Sequence, residues 1–158
     1  NFIIGFPTES WQEIRKTINF AEEINVDYAK IFIAIPLRNT EMFDLAERTD
    51  SIIMETYDAD SMWSVGGLIK SKEWTADDLT ILRAYEWDRI NFSDPKKMKK
   101  IANRMAVTVE ELDQIRRRTL NNALKAISSR HPTKEKGSIT RAADIALVSK
   151  NNPTSKVQ

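Results

Sequence analysis

Phe-Ile-Ile-Gly-Phe, at residues 2–6, is the stretch of sequence that decides the fold. An apolar run of this length, closed by a proline-containing turn, predicts a strand buried on both faces. Ser10 and Glu13 then form the pattern of a capping box, which marks the start of an amphipathic helix. Residues 28–35 are rich in aromatic and β-branched side chains and predict a second strand that ends at Pro36. Strand, helix and strand over about 35 residues make a βαβ unit, whose strands run parallel.

Two parallel strands are too few to be stable by themselves. Either the chain pairs with a second copy, or the rest of the sheet lies upstream. The chain begins with Asn1 instead of methionine, which favours the second interpretation. We therefore expect a fragment of a larger α/β enzyme, whose missing N-terminal half belongs to the same protein. Such a fragment is not expected to carry out the enzyme's chemistry alone.

The rest of the chain reads as one more crossover helix followed by an all-helical region. Residues 41–48 predict the crossover helix, which completes a βαβα unit over residues 1–49. Residues 50–74 are less regular but carry Met54, Met62 and Trp63, and they predict either a linker or a substrate lid. Residues 75–131 predict an α-helical extension, and residues 132–158 predict a polar, largely disordered tail. Three patterns predict helix starts in the extension: Thr75, the pair Asp94-Pro95, and a capping box of Thr108 with Glu111.

The composition excludes several classes of chemistry. The 158 residues contain no cysteine, so thiolate nucleophiles, disulfides, zinc fingers and cysteine-held clusters cannot arise within them. The single histidine, His131, is expected to be solvated at a helix end. The net charge of +1 gives no general attraction to nucleic acid or to acidic membranes. No apolar run approaches the roughly 20 residues of a membrane helix, and we expect a cytoplasmic protein.

Two strand-end segments carry a resemblance to a known family. Residues 1–10, a Gly-containing strand followed by Pro7-Thr8-Glu9-Ser10, resemble the fifth-strand motif of radical S-adenosylmethionine (SAM) enzymes. Residues 36–40, Pro-Leu-Arg-Asn-Thr, resemble the Pro-x-Pro-Gly-Thr segment after the sixth strand of that family, and the spacing between the two segments also fits. Residues 82–92 are similar to helical tails of the cobalamin-binding branch. The resemblance covers residues 1–120.

The resemblance implies a fold, a cofactor and a set of binding residues. The fold is the C-terminal part of a partial (β/α) barrel with a helical extension. The family reduces SAM at a 4Fe-4S cluster to a 5′-deoxyadenosyl radical, which takes a hydrogen atom from a substrate that remains unknown here. The cluster's three cysteines would lie outside this chain, as would a cobalamin-binding domain. The resemblance assigns no catalytic residue or metal ligand to this chain, and it places seven residues around SAM: Ile3, Gly5, Pro7, Glu9, Ile35, Pro36 and Leu37.

Individual roles follow from the same resemblance. Ile3 would pack on the adenine, Gly5 would allow a close backbone approach, and Glu9 would shape the loop at the strand end. Ile35, Pro36 and Leu37 would supply apolar and backbone contacts to the adenine. Plain core packing is the alternative for the two isoleucines, and stabilisation of a helix N-terminus is the alternative for Glu9.

Two turn glycines of the family pattern are replaced in this chain. Thr8 replaces a glycine, and its β-branched side chain resists positive φ, so this turn is expected to differ in shape. Asn39 replaces another glycine and tolerates the left-handed region.

A helix-turn-helix nucleic-acid-binding module in residues 94–130 is the main alternative. Ten Lys and Arg against four Asp and Glu give this region a net charge of +6. However, Glu110, Glu111 and Asp113 occupy the start of the second helix, where a recognition helix meets the groove. Nucleic-acid binding is therefore the less favoured interpretation. A phosphate-binding α/β enzyme of another kind is disfavoured because neither turn is glycine-rich.

Overall fold

The computed structural model describes residues 1–53 and 67–130, and it contains two strands and five helices in these ranges. The predicted parallel pairing is confirmed, with Phe2 opposite Ile31 and Ile4 opposite Ile33. In chain order the elements are β1 (Phe2–Ile4), α1 (Trp11–Glu23), β2 (Ile31–Ile33), α2 (Glu41–Arg48), α3 (Ala76–Phe92), α4 (Pro95–Met105) and α5 (Val109–Arg130).

Both strands are shorter than the apolar runs that predicted them. β1 stops at Ile4 because Gly5 has φ +85° and its amide donates a hydrogen bond to the carboxylate of Glu9. β2 begins only at Ile31 because the side chain of Asn91 bonds both the amide and the carbonyl of Ala29 at 2.8 Å. Side chains thus satisfy the backbone groups that a longer ladder would have used.

The core lies on one face of the sheet, where α1 and α3 pack side by side. Ile4 of β1, Ile14 of α1 and Leu79 of α3 are fully buried there. Ion pairs of Arg15 with Glu86 and of Glu22 with Arg89 join the two helices. Alternate residues point the other way, and Ile3 is 50% exposed while its partner Phe32 is 46% exposed. Within the described residues β1 is thus buried on one face only, because α1 and α3 both pack on the same side of the strands. The neighbours that the prediction requires for the other face stay a prediction.

The remaining helices form a second layer on α3. Leu112 of α5 and Ile101 of α4 share a buried cluster with Phe92, and Ile127 packs on Ile81. Short α2 follows β2 and contributes Phe43 to a separate small cluster. In the described ranges no helix combines the length and the apolar character that a membrane crossing requires.

Several expectations remain predictions. The described residues form a two-stranded sheet and show no barrel, so the partial (β/α) barrel is untested. The predicted segment boundaries after residues 49, 74 and 131 are also untested. Helix α3, from the predicted extension, shares one core with β1 and α1 from the predicted βαβα unit. Met54, Met62 and Trp63, His131 and the tail at 132–158 all lie outside the described residues.

Candidate functional site at the strand ends

The carboxyl ends of β1 and β2 meet at one edge of the sheet. The Ala34 amide donates to the Ile4 carbonyl at 2.8 Å, so the chain beyond Ile4 and the chain beyond Ile33 leave the sheet side by side. Gly5 sits at this edge with φ +85°, a conformation that L side chains rarely adopt. A Cβ at Gly5 would also collide with the side chain of Leu79. Packing against Leu79 therefore explains the glycine at position 5, without any close approach of a ligand to the backbone.

Glu9 organises the turn after β1. Its carboxylate accepts hydrogen bonds from the amides of Gly5 at 2.6 Å and Phe6 at 3.1 Å. Its backbone carbonyl accepts a hydrogen bond from Trp74 Nε1 at 2.8 Å. Pro7 is buried in the same turn. Glu9 therefore positions the strand end, and its carboxylate oxygen Oε2 is occupied by backbone amides.

The end of the 50–74 segment lies against this edge. The carboxylate of Glu73 accepts a hydrogen bond from the amide of Trp11, at the start of α1, at 2.8 Å. Trp74 is 1% exposed and belongs to the main core. A Cβ placed on Gly67 would lie 3.4 Å from Ile33 Cγ2. The described end of this segment is thus fixed to the strand ends by packing and by side-chain hydrogen bonds.

The turn after β2 supplies the other predicted residues. Pro36 is buried, Ile35 is partly buried and Leu37 is 39% exposed. Asn39 has φ +64°, within the left-handed region that asparagine tolerates. Thr8 does not have a positive φ. The turn after β1 therefore differs in shape from the family's turn, which has glycine at this position.

The structure separates the seven predicted residues into three groups. Gly5, Pro7 and Pro36 are buried within the chain, Glu9 and Ile35 are partly buried, and Ile3 and Leu37 are substantially exposed. We call the pair of Ile3 and Phe32 the open sheet face. Sequence reasoning missed Phe32, although its position between Ile31 and Ile33 puts it on the face opposite to theirs. This face is apolar, so it can bind a flat or apolar group but offers no acid, base or nucleophile.

No ligand set for a metal ion is present in the part of the chain that the structure describes. No group of three or more His, Cys, Asp and Glu side chains converges there. The chain also has no cysteine at all. The residues present therefore do not fit a 4Fe-4S cluster.

The strongest charge network lies on the helix side of the sheet. Glu86 is 3% exposed and accepts from Arg15 Nη1 and Arg89 Nε, both at 2.7 Å. Arg89 also binds Glu22 through two hydrogen bonds, at 2.6 and 2.8 Å. Glu22 and then Glu86 raise the pKa of the Arg89 guanidinium, and Arg89 lowers the pKa of Glu22. This network holds α1 against α3 and does not reach the open sheet face.

Basic residues of the helical layer are partly engaged by internal carboxylates. Arg116 binds both oxygens of Asp88, at 2.7 and 2.9 Å, and its guanidinium lies 4.9 Å above the ring of Phe92. Asp88 raises the pKa of Arg116. Arg117 binds Asp113 within the same helix. These contacts give both arginines a structural explanation, and nucleic-acid binding stays an alternative prediction.

Comparison with known proteins gives one informative relative. The chain is 30% identical over 82 residues to an uncharacterized methyltransferase of Pyrococcus horikoshii. The matched region is 52% of this chain but only 17% of that protein. No family model matches the chain, and no solved structure matches it. The chain is therefore similar, over about half its length, to a small part of a protein named as a methyltransferase.

Proposed function

We propose that the chain is the C-terminal part of a radical SAM enzyme and forms one wall of its SAM site. The open sheet face carries this proposal. Parallel sheets in α/β proteins are normally covered on both faces, and ligands gather at the carboxyl ends of their strands. Here one face is covered by α1 and α3, while the other presents apolar Ile3 and Phe32 beside those strand ends.

The chemistry of this wall suits an adenosine group. An adenine ring is flat and apolar on its faces, so an isoleucine and a phenylalanine that lie side by side on one sheet face can pack against it. Leu37 extends the same apolar character beyond β2. Glu9 keeps the first turn in shape by binding the amides of Gly5 and Phe6. These residues would bind and orient SAM without touching its reacting bonds.

The relative supports the use of SAM in general terms, because it is named as a methyltransferase. SAM supplies either a methyl group or a 5′-deoxyadenosyl radical, depending on the enzyme. Since this chain has no cysteine, we assign no step of reductive cleavage to it. The cluster and cobalamin remain predictions that concern polypeptide outside this chain.

Binding of S-adenosylhomocysteine to the isotope-labelled chain tests the proposed wall. We expect the methyl resonances of Ile3 and the ring resonances of Phe32 to shift on titration, while those of buried Ile14 stay unchanged. Phe32→Ser should weaken binding about tenfold, the value of one aromatic contact of about 1.4 kcal/mol. Phe20→Ser is the matched control, because Phe20 is 54% exposed on α1 and packs on Phe2 at the amino end of β1, away from the carboxyl ends of the strands.

Equal losses in the two variants, or shifts spread evenly over the molecule, would contradict a SAM wall at Ile3 and Phe32. The radical part of the proposal has a separate test in the gene. A Cys-x-x-x-Cys-x-x-Cys encoded in frame upstream of residue 1 would support it. An upstream frame without that motif would argue for a SAM-dependent enzyme of another kind.

A further inference from the structure

Arg83 is the one partly buried arginine of residues 1–53 and 67–128 that lacks a carboxylate. Four arginines in these ranges are partly buried: Arg15, Arg83, Arg89 and Arg116. Three of them form ion pairs at 2.6–2.7 Å, with glutamates for Arg15 and Arg89 and with an aspartate for Arg116. The Nε of Arg83 is buried and has no hydrogen-bond partner. Among the described residues, the other half-buried guanidiniums are each paired with a carboxylate, and Arg83 is not.

The surroundings of Arg83 explain why no internal partner reaches it. It lies on α3 one turn from Leu79, which packs in the main core, and one turn from Trp87, which donates to the hydroxyl of Tyr28 just before β2. Arg83 therefore lies on the stripe of α3 between the main core and the Trp87–Tyr28 contact. Within one turn of α3 its only acidic neighbour is Glu86, whose two oxygens are already bound to Arg15 and Arg89.

An unpaired guanidinium in this position is costly. Arginine stays charged at every physiological pH, so it cannot escape burial by losing its proton. Burial alone lowers the pKa of Arg83, with no acidic group acting in the opposite direction. A planar carboxylate would satisfy the buried Nε and a terminal nitrogen together, in the two-point geometry that guanidinium groups favour.

We propose that Arg83 is a binding site for a carboxylate, on the helix-covered side of the sheet. The carboxylate is that of a small molecule, because no carboxylate of the described residues bonds Arg83 Nε. The site is separate from the open sheet face, which lies on the other side of β1 and β2. The proposal is therefore independent of the SAM proposal and can stand if that one fails.

Thermal unfolding of the whole chain in sodium acetate and in sodium chloride of equal ionic strength tests the site. Arg83→Met keeps an unbranched apolar stem and removes the charge. Arg118→Met is the matched control, because Arg118 is exposed on α5. At ten times its Kd, acetate should raise the Tm of the wild type by about 3–6 °C relative to chloride and leave that of Arg83→Met unchanged. This result identifies a site for a free carboxylate.

The proposal is overturned if acetate leaves the Tm of the wild type where chloride leaves it, or if acetate raises the Tm of Arg83→Met by the same amount as that of the wild type. Should Arg83→Met not fold, the ¹⁵N resonance of Arg83 Nε in the wild type decides. A saturable shift in acetate but not in chloride supports the site, and an unmoved resonance rejects it.

Discussion

Replacing Glu86 by glutamine should destabilise the chain by about 3 kcal/mol. The carboxylate is 3% exposed and accepts one 2.7 Å hydrogen bond from Arg15 on α1 and one from Arg89 on α3. Glutamine keeps the size but loses the charge, and its NH₂ group must face one guanidinium as donor against donor. Each charge-assisted bond contributes about 1.5–3 kcal/mol, and breaking a buried pair costs about 3–5 kcal/mol. Because Arg15 and Arg89 keep 23% and 33% of their side-chain exposure, water compensates part of that cost.

Urea denaturation followed by tryptophan fluorescence measures this loss. With a slope of about 2 kcal/mol/M, the midpoint should fall by about 1.5 M at an unchanged slope. Asp50→Asn is the matched control, because the Asp50 carboxylate is 97% exposed and lies 3.7 Å from Lys70. That variant should leave the midpoint where it is, as expected for a surface ion pair. If Glu86→Gln also leaves the midpoint unchanged, the network does not hold α1 to α3 and the reasoning fails.

Three further predictions concern the strand ends and acid stability. Asn91→Leu should cost about 3 kcal/mol and speed hydrogen exchange at Ala29, whose buried amide and carbonyl lose their partner; unchanged exchange would contradict this. Gly5→Ala should lower stability in urea by about 1–3 kcal/mol because of its φ of +85°, and an unaltered midpoint would refute the strain. Arg89 lowers the pKa of Glu22 from its ordinary 4.5, so the stability from this pair is complete above pH 4.5 and is lost as the pH falls through the lower folded-state pKa. Glu22→Gln should flatten this acid dependence of Tm, and an identical pH profile would exclude the pair as its source.

Helix starts were predictable because their chemistry is local. Each cap joins a side chain to a backbone amide two or three residues away, so both partners are visible in a short stretch of sequence. The capping boxes of Ser10 with Glu13 and of Thr108 with Glu111 are confirmed, as are the caps at Thr75 and Asp94. The crossover helix at 41–48 also has its predicted bounds.

Strand limits and side-chain pairing were not predictable in the same way. β2 begins late because Asn91 binds Ala29 from 62 residues further along the chain. Nothing in the sequence near Ala29 signals that contact. The engagement of Glu86 by Arg15 likewise spans 71 residues. Glu9 is the intermediate case, since its bond to the Gly5 amide spans only four residues and fits the predicted role in shaping the loop.

The strongest argument about function comes from the difference between the two faces of one small sheet. On the helix side, apolar side chains are buried and the charges of Arg15, Glu86 and Arg89 are matched to one another. On the other side, Ile3 and Phe32 remain half exposed although they pair directly across a parallel ladder. Isoleucine and phenylalanine favour strands, but two large apolar side chains left half exposed beside each other are typical of a face that is covered in the working protein. The bare face lies beside the strand ends, where α/β enzymes bind their ligands, and this position favours a bound cofactor together with further polypeptide as its cover.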